Sequence, residues 1–127
     1  MFKILLFLMT GITLYAHSQT PIIYGGKEDK FDSISLTQTK IVPISIQNLN
    51  NFKQKYSITI NGEPVGRTSF ILKGERRNIK IPVKIQKPNK LKTYKICTTS
   101  IPNNKEMFNT KICTKAYLYW AKKKNEI

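Results

Sequence analysis

The residues of this chain that could carry catalysis or hold a metal are two cysteines, one histidine and seven carboxylates. Hydrolytic triads and Cys–His dyads need an imidazole. His17 stands just after an apolar N-terminal run, in a segment read below as removed. Paired-carboxylate catalysis needs two acids held a few ångströms apart, but Glu28, Asp29, Asp32, Glu63, Glu75, Glu106 and Glu126 are scattered. Glu28, Asp29 and Asp32 cluster beside Gly25-Gly26, yet they lack the full ligand set of a calcium loop and read as a solvated charge cluster. Gly25-Gly26 is not followed by Gly-Lys-Ser or Gly-Lys-Thr, so no phosphate loop is indicated. Cys97 and Cys113 are no CxxC pair, and two sulfur ligands without histidine make no zinc site. The expectation is a protein that is not an enzyme, with no catalytic residue, metal site or cofactor.

Basic charge is the strongest remaining signal. Twenty-two Lys and Arg against seven Asp and Glu give a net charge of +15, and nineteen of the basic residues are lysine. Such a surface attracts nucleic acid, acidic glycans or lipid head groups. Lys95, Lys111, Lys115, Tyr117 and Tyr119 are expected on one strand face, with Lys53 and Lys55 on a neighbouring strand. There the lysines would meet phosphate or carboxylate while the rings stack on bases or sugars. Two causes unrelated to binding would also give this charge. An AT-rich genome enriches lysine without selection, and lysine on outer strand faces deters edge-to-edge aggregation. Arg, the usual residue for specific phosphate recognition, is scarce.

The elements that would position these side chains follow a period of two. Val42, Ile44 and Ile46, then Tyr56, Ile58 and Ile60, then Ile79, Ile81, Val83 and Ile85 each alternate with mostly polar residues. So do Tyr94 and Ile96, and Ile112, Thr114, Ala116, Leu118 and Trp120. Such alternation predicts half-buried strands. Asn61-Gly62 predicts a tight hairpin turn. Turns are also expected at 87–90 and 103–105. Short strands are expected at Ser33–Thr39 and Ser69–Leu72, and no helix of useful length is expected. Pro43 and Pro82 inside strand-like runs point to edges or bulges. The expected fold is all-β, an immunoglobulin-like two-sheet sandwich of about seven strands.

Residues 1–18 read as a secretory signal peptide: Lys3, an apolar run from Ile4 to Tyr15, and small residues at Ala16 and Ser18. The run is too short for a membrane span. Residues 19–32 are expected as a flexible N-terminal arm, 33–120 as the sandwich and 121–127 as a basic polar tail. Ile22-Ile23-Tyr24 in the arm either docks on a partner's edge or packs on its own sandwich as a first strand. Export implies an oxidising compartment, periplasmic or secreted, where Cys97 and Cys113 can bond. A hairpin about the 103–105 tip places Cys97 opposite Cys113, Tyr94 opposite Ala116, Ile96 opposite Thr114 and Thr98 opposite Ile112. A one-residue slip would put one cysteine on each face. The bridge is thus expected within one sheet, on its outer face.

Two stretches carry a family resemblance. Val42 through Asn61-Gly62, then Phe70-Ile71-Leu72-Lys73-Gly74-Glu75 leading into Ile79-Lys80-Ile81, resembles bacterial immunoglobulin-like modules of the CARDB type. Leu91-Lys92-Thr93-Tyr94-Lys95-Ile96 resembles the corner entering the sixth strand of fibronectin-like sandwiches, where a Tyr hydroxyl bonds backbone upstream. The resemblance implies non-catalytic adhesion, spacer or binding roles and transfers no catalytic residue. The expected function is an exported binding or structural component of the cell envelope, with an envelope or cell-surface protein as partner. Two alternatives stand beside it: an anionic-polymer binder, or a chaperone or subunit of a surface-fibre, secretion or conjugation assembly.

Overall fold

The computed structural model describes residues 17–27, 29–102 and 109–123. Alternation builds nearly all of it. Strands β1 (His17–Thr20) and β2 (Ile23–Gly25) come first, then a four-residue helix α1 (Lys30–Ser33) and β3 (Ile34–Ser35). The longer strands β4 (Thr39–Asn48), β5 (Lys55–Ile60), β6 (Glu63–Arg67), β7 (Arg76–Lys84), β8 (Lys92–Ile101) and β9 (Lys111–Trp120) follow. One sheet has the order β1-β4-β7, the other β2-β9-β8-β5-β6, with β3 continuing along the free edge of β9 beyond β2. The chain is therefore an all-β, immunoglobulin-like sandwich. The alternating residues face inward: Val42, Ile44 and Ile46 meet Tyr56, Ile58, Ile81, Val83, Tyr94, Ile96, Ala116 and Leu118 in one buried cluster.

The expected register of the last hairpin is found. Cys97 pairs with Cys113, Tyr94 with Ala116, Ile96 with Thr114 and Thr98 with Ile112. Asn61 and Gly62 both take positive φ, 51° and 85°, and join Ile60 to Glu63 as a two-residue turn. The Tyr94 hydroxyl accepts the Gln86 backbone N–H at 3.0 Å, the corner bond expected before the sixth strand. Pro82 lies on the edge strand β7. Pro43 lies in the central strand β4, but β1 stops short of it, its last pair being Thr20 with Ser45. A proline there has no N–H to offer β1.

Several expectations are corrected. The stretch read as a flexible arm is structured: Gln19 and Thr20 complete β1 against β4, and Ile23–Gly25 runs parallel to β9. Ile22-Ile23-Tyr24 thus packs on its own sandwich, with Tyr24 in the core. His17 and Ser18, placed in the removed segment by sequence, form the first half of β1. Residues 1–16 of the expected signal peptide lie outside the described residues, as do the expected hairpin tip and the end of the basic tail. The expected strand Ser33–Thr39 is divided: Ser33 ends α1, Ile34–Ser35 is β3 and Thr39 begins β4, and between the two strands the Ser35 hydroxyl donates to Thr37 O at 2.7 Å and competes with the ladder. Ser69–Leu72 supplies one isolated bridge, Gln54 with Ile71. The strand in that region is β6, exposed along its whole length, so neither face carries an apolar alternation to read.

Candidate functional site

Outward-facing residues of the larger sheet form rows across β5, β8 and β9. Ser57, Thr99 and Lys111 make one row, and Thr59, Cys97 and Cys113 the next. Lys95 and Lys115 follow, with Ile23 of β2 beside Lys115, and then Thr93 and Tyr117 with Gly25 beside Tyr117. Rows two residues apart are separated by about 7 Å along the strand. Lys95 therefore stands directly opposite Lys115, and Lys111 lies about 13 Å from Lys115 on the other side of the disulfide. Lys95, Lys111 and Lys115 are exposed, and Tyr117 and Tyr119 half-buried.

The positions of these side chains have local causes. Lys95 is fixed through its backbone: its N–H donates to Asn61 Oδ1 at 2.8 Å and its carbonyl accepts the Asn61 N–H at 2.9 Å. The turn at Asn61-Gly62 thus sets where this lysine begins. The cysteine pair joins β8 to β9 with its Cα atoms 4.0 Å apart. Cys97 occupies an outward-facing register position, as expected, yet it is only 2 % exposed. Cys113 covers it from one side and Thr59, its Cα partner on β5, from the other.

All six sequence-chosen binding residues project from this one sheet face, but they do not converge. Lys55 sits at the far end, paired with Ile101, and its ammonium lies 4.6 Å from the centre of the Phe70 ring. Lys53 approaches the same ring at 4.5 Å. That cation–π cluster takes Lys55 out of the lysine row. Tyr119 lies at the opposite end, beside Ile34 of β3. The compact group is Lys95, Lys115 and Tyr117, with Lys111 two rows away.

Sequence reasoning missed a groove beside this group. Two adjoining hollows of about 330 and 420 Å³ share Gly26, Lys27 and Leu91. Tyr117 lines one, and Tyr119, Ile34 and Lys30 line the other. Gly25 and Gly26 make it possible. Both have positive φ, and a Cβ on Gly25 would lie 2.4 Å from Ser33 Oγ and 2.8 Å from the Tyr117 carbonyl. The Gly25-Gly26 doublet was the available signal, but without a partner strand in view it read only as flexibility.

A second cluster of polar side chains is buried between the sheets. His17 Nε2 lies 3.0 Å from Thr98 Oγ1 and its Nδ1 2.8 Å from Thr110 Oγ1. Thr98 donates its hydroxyl to Gln19 Oε1 at 2.5 Å, so toward His17 it acts as acceptor and Nε2 carries the ring proton. Gln19 Nε2 donates to Ile96 O and to Thr114 Oγ1. Burial holds the His17 imidazole below its ordinary pKa, against a smaller opposing effect from Thr98. The ring has no carboxylate beside it among these partners, and its two nitrogens are occupied, so its role is structural. Among the described residues no three His, Cys, Asp or Glu side chains gather into a metal-binding group, and no helix is long and apolar enough to cross a membrane. Compared with known families and curated proteins, the chain matches no family model and no curated sequence.

Proposed function

We propose that this protein is an exported, non-catalytic binding or structural component of the cell envelope that meets an anionic partner through Lys95, Lys111, Lys115 and Tyr117. One observation carries the reading: Lys95 and Lys115 stand opposite each other across β8 and β9. Among the described residues the one ion pair is Glu75–Arg77, near the start of β7 in the other sheet. Like charges directly opposite in a sheet are destabilising, and an anion laid over the row relieves the repulsion. Tyr117, one row along, offers a ring to an adjoining base or sugar.

The test is elution from heparin or DNA across a salt series, with Lys111→Glu plus Lys115→Glu as the variant. The expected result is a steep dependence on salt whose log–log slope falls by about 2 in the variant. In parallel, Lys115→Glu alone should raise folding stability by about 0.5 kcal/mol, because it turns a like-charge pair into an opposite one. Retention that the double variant leaves unchanged overturns the reading.

Assembly with another envelope protein by strand addition is the second reading. The observation in its favour is a pair of strands, β6 and β7, each ending its sheet without an outer neighbour among the described strands. Salt-insensitive co-purification with one envelope protein supports it over the anion reading.

A further inference from the structure

The groove beside β9 has a chemistry of its own. Its walls are mainly carbon, contributed by Leu91, Ile34 and the rings of Tyr117 and Tyr119, while Lys27 and Lys30 stand at its margin. Ser33 Oγ, the hydroxyl nearest the groove's glycines, already accepts the Gly26 N–H at 2.6 Å. Two hollows of about 330 and 420 Å³ suit a small ligand far better than a helix or a strand. Leu91 is 55 % exposed and Ile34 45 % exposed, so apolar surface is left open to water along the groove. Lys27 and Lys30 bring positive charge to its margin, with the carboxyls of Asp29 and Asp32 close by. Besides Lys27 and Lys30, Lys40 reaches the Ile34 carbonyl with its ammonium at 3.4 Å. Asp29 beside it holds the carboxyl of Asp32 above its ordinary pKa.

We propose that this groove binds a single-chain amphiphile with a phosphate or carboxylate head, its apolar chain along Leu91, Ile34, Tyr117 and Tyr119 and its head at Lys27 and Lys30. Charge complementarity selects an anionic head, and the carbon-lined walls select a hydrocarbon body. The inference shares Tyr117 with the lysine face but stands independently of what that face binds.

The experiment is a titration of isotope-labelled protein, followed by backbone amide shifts, with dodecyl phosphate and dodecanoate below their micelle concentrations. Dodecyl maltoside serves as the neutral control. Saturable shifts centred on Ile34, Leu91, Tyr117 and Tyr119 are expected, with one or both anions and without the neutral control. Leu91→Asp, and separately Lys27→Glu with Lys30→Glu, should each weaken binding by about tenfold or more. These side chains are exposed, and unchanged shifts of the core amides of Ile96 and Thr98 certify that the variants fold. Lys111→Glu plus Lys115→Glu should leave the titration as it was, which separates this proposal from the polymer reading. The proposal is overturned by absence of shifts, by equal shifts with the maltoside, or by shifts spread over Val65 and Leu72 on other surfaces.

Discussion

His17 shows how a single side chain ties the molecule's stability to pH. Its imidazole is buried at the start of β1 and satisfied in its neutral form by two threonine hydroxyls. Burial lowers its pKa in the folded protein below the ordinary 6.5. As pH falls through 6.5 the unfolded chain takes up a proton first, so stability is fully present above that value and declines until the folded form also protonates. Thermal melts between pH 7.5 and pH 5 should therefore show a falling midpoint that a His17→Asn variant does not share; parallel profiles would refute this. Lys95 and Lys115 make the complementary case on the surface. A like-charge pair persists there at a small cost, and the salt series with Lys111→Glu plus Lys115→Glu asks whether binding accounts for it.

The disulfide is an element-scale device, since it fastens two neighbouring strands of one sheet. Replacing both cysteines with serine should lower stability by about 3 kcal/mol in urea titrations while leaving the β-sheet circular-dichroism spectrum in place. A loss of fold would mean that the bridge also holds the two sheets together. Long strands with one wet face were legible in the sequence because burial imposes a period of two on their residues, and the register of β8 and β9 followed from keeping both cysteines on one face. β6 was not legible, because both its faces are wet. β1 was hidden because its inward residues, His17 and Gln19, are polar, and their burial makes sense only once Thr98, Thr110 and Thr114 are placed opposite them. Of the candidate site, the shared face was readable from alternation. The separation of Lys55 from the other lysines was not, because it depends on how far along β8 each strand is paired. The groove depends on a parallel contact between β2 and β9, far apart in sequence, which no local pattern announces.

At the scale of the whole molecule, one N-terminal segment touches both sheets. β1 belongs to the smaller sheet and β2 to the larger, with Pro21 between them. If a signal peptide is removed on export, the sandwich is preserved by a cut after Ala16 and loses its buried histidine by a cut after Ser18. The mass of the protein recovered from outside the cytoplasm should correspond to a chain beginning at His17. A chain beginning at Gln19 would show that the histidine is dispensable to the folded state. The parallel pairing of β2 with β9 has a mechanical consequence as well. A tether pulling the two chain ends apart loads that contact lengthwise, so its bonds share the tension together instead of opening one after another. A domain held between two anchors in this way would resist stretching, and it would carry force along the same edge that bears the groove.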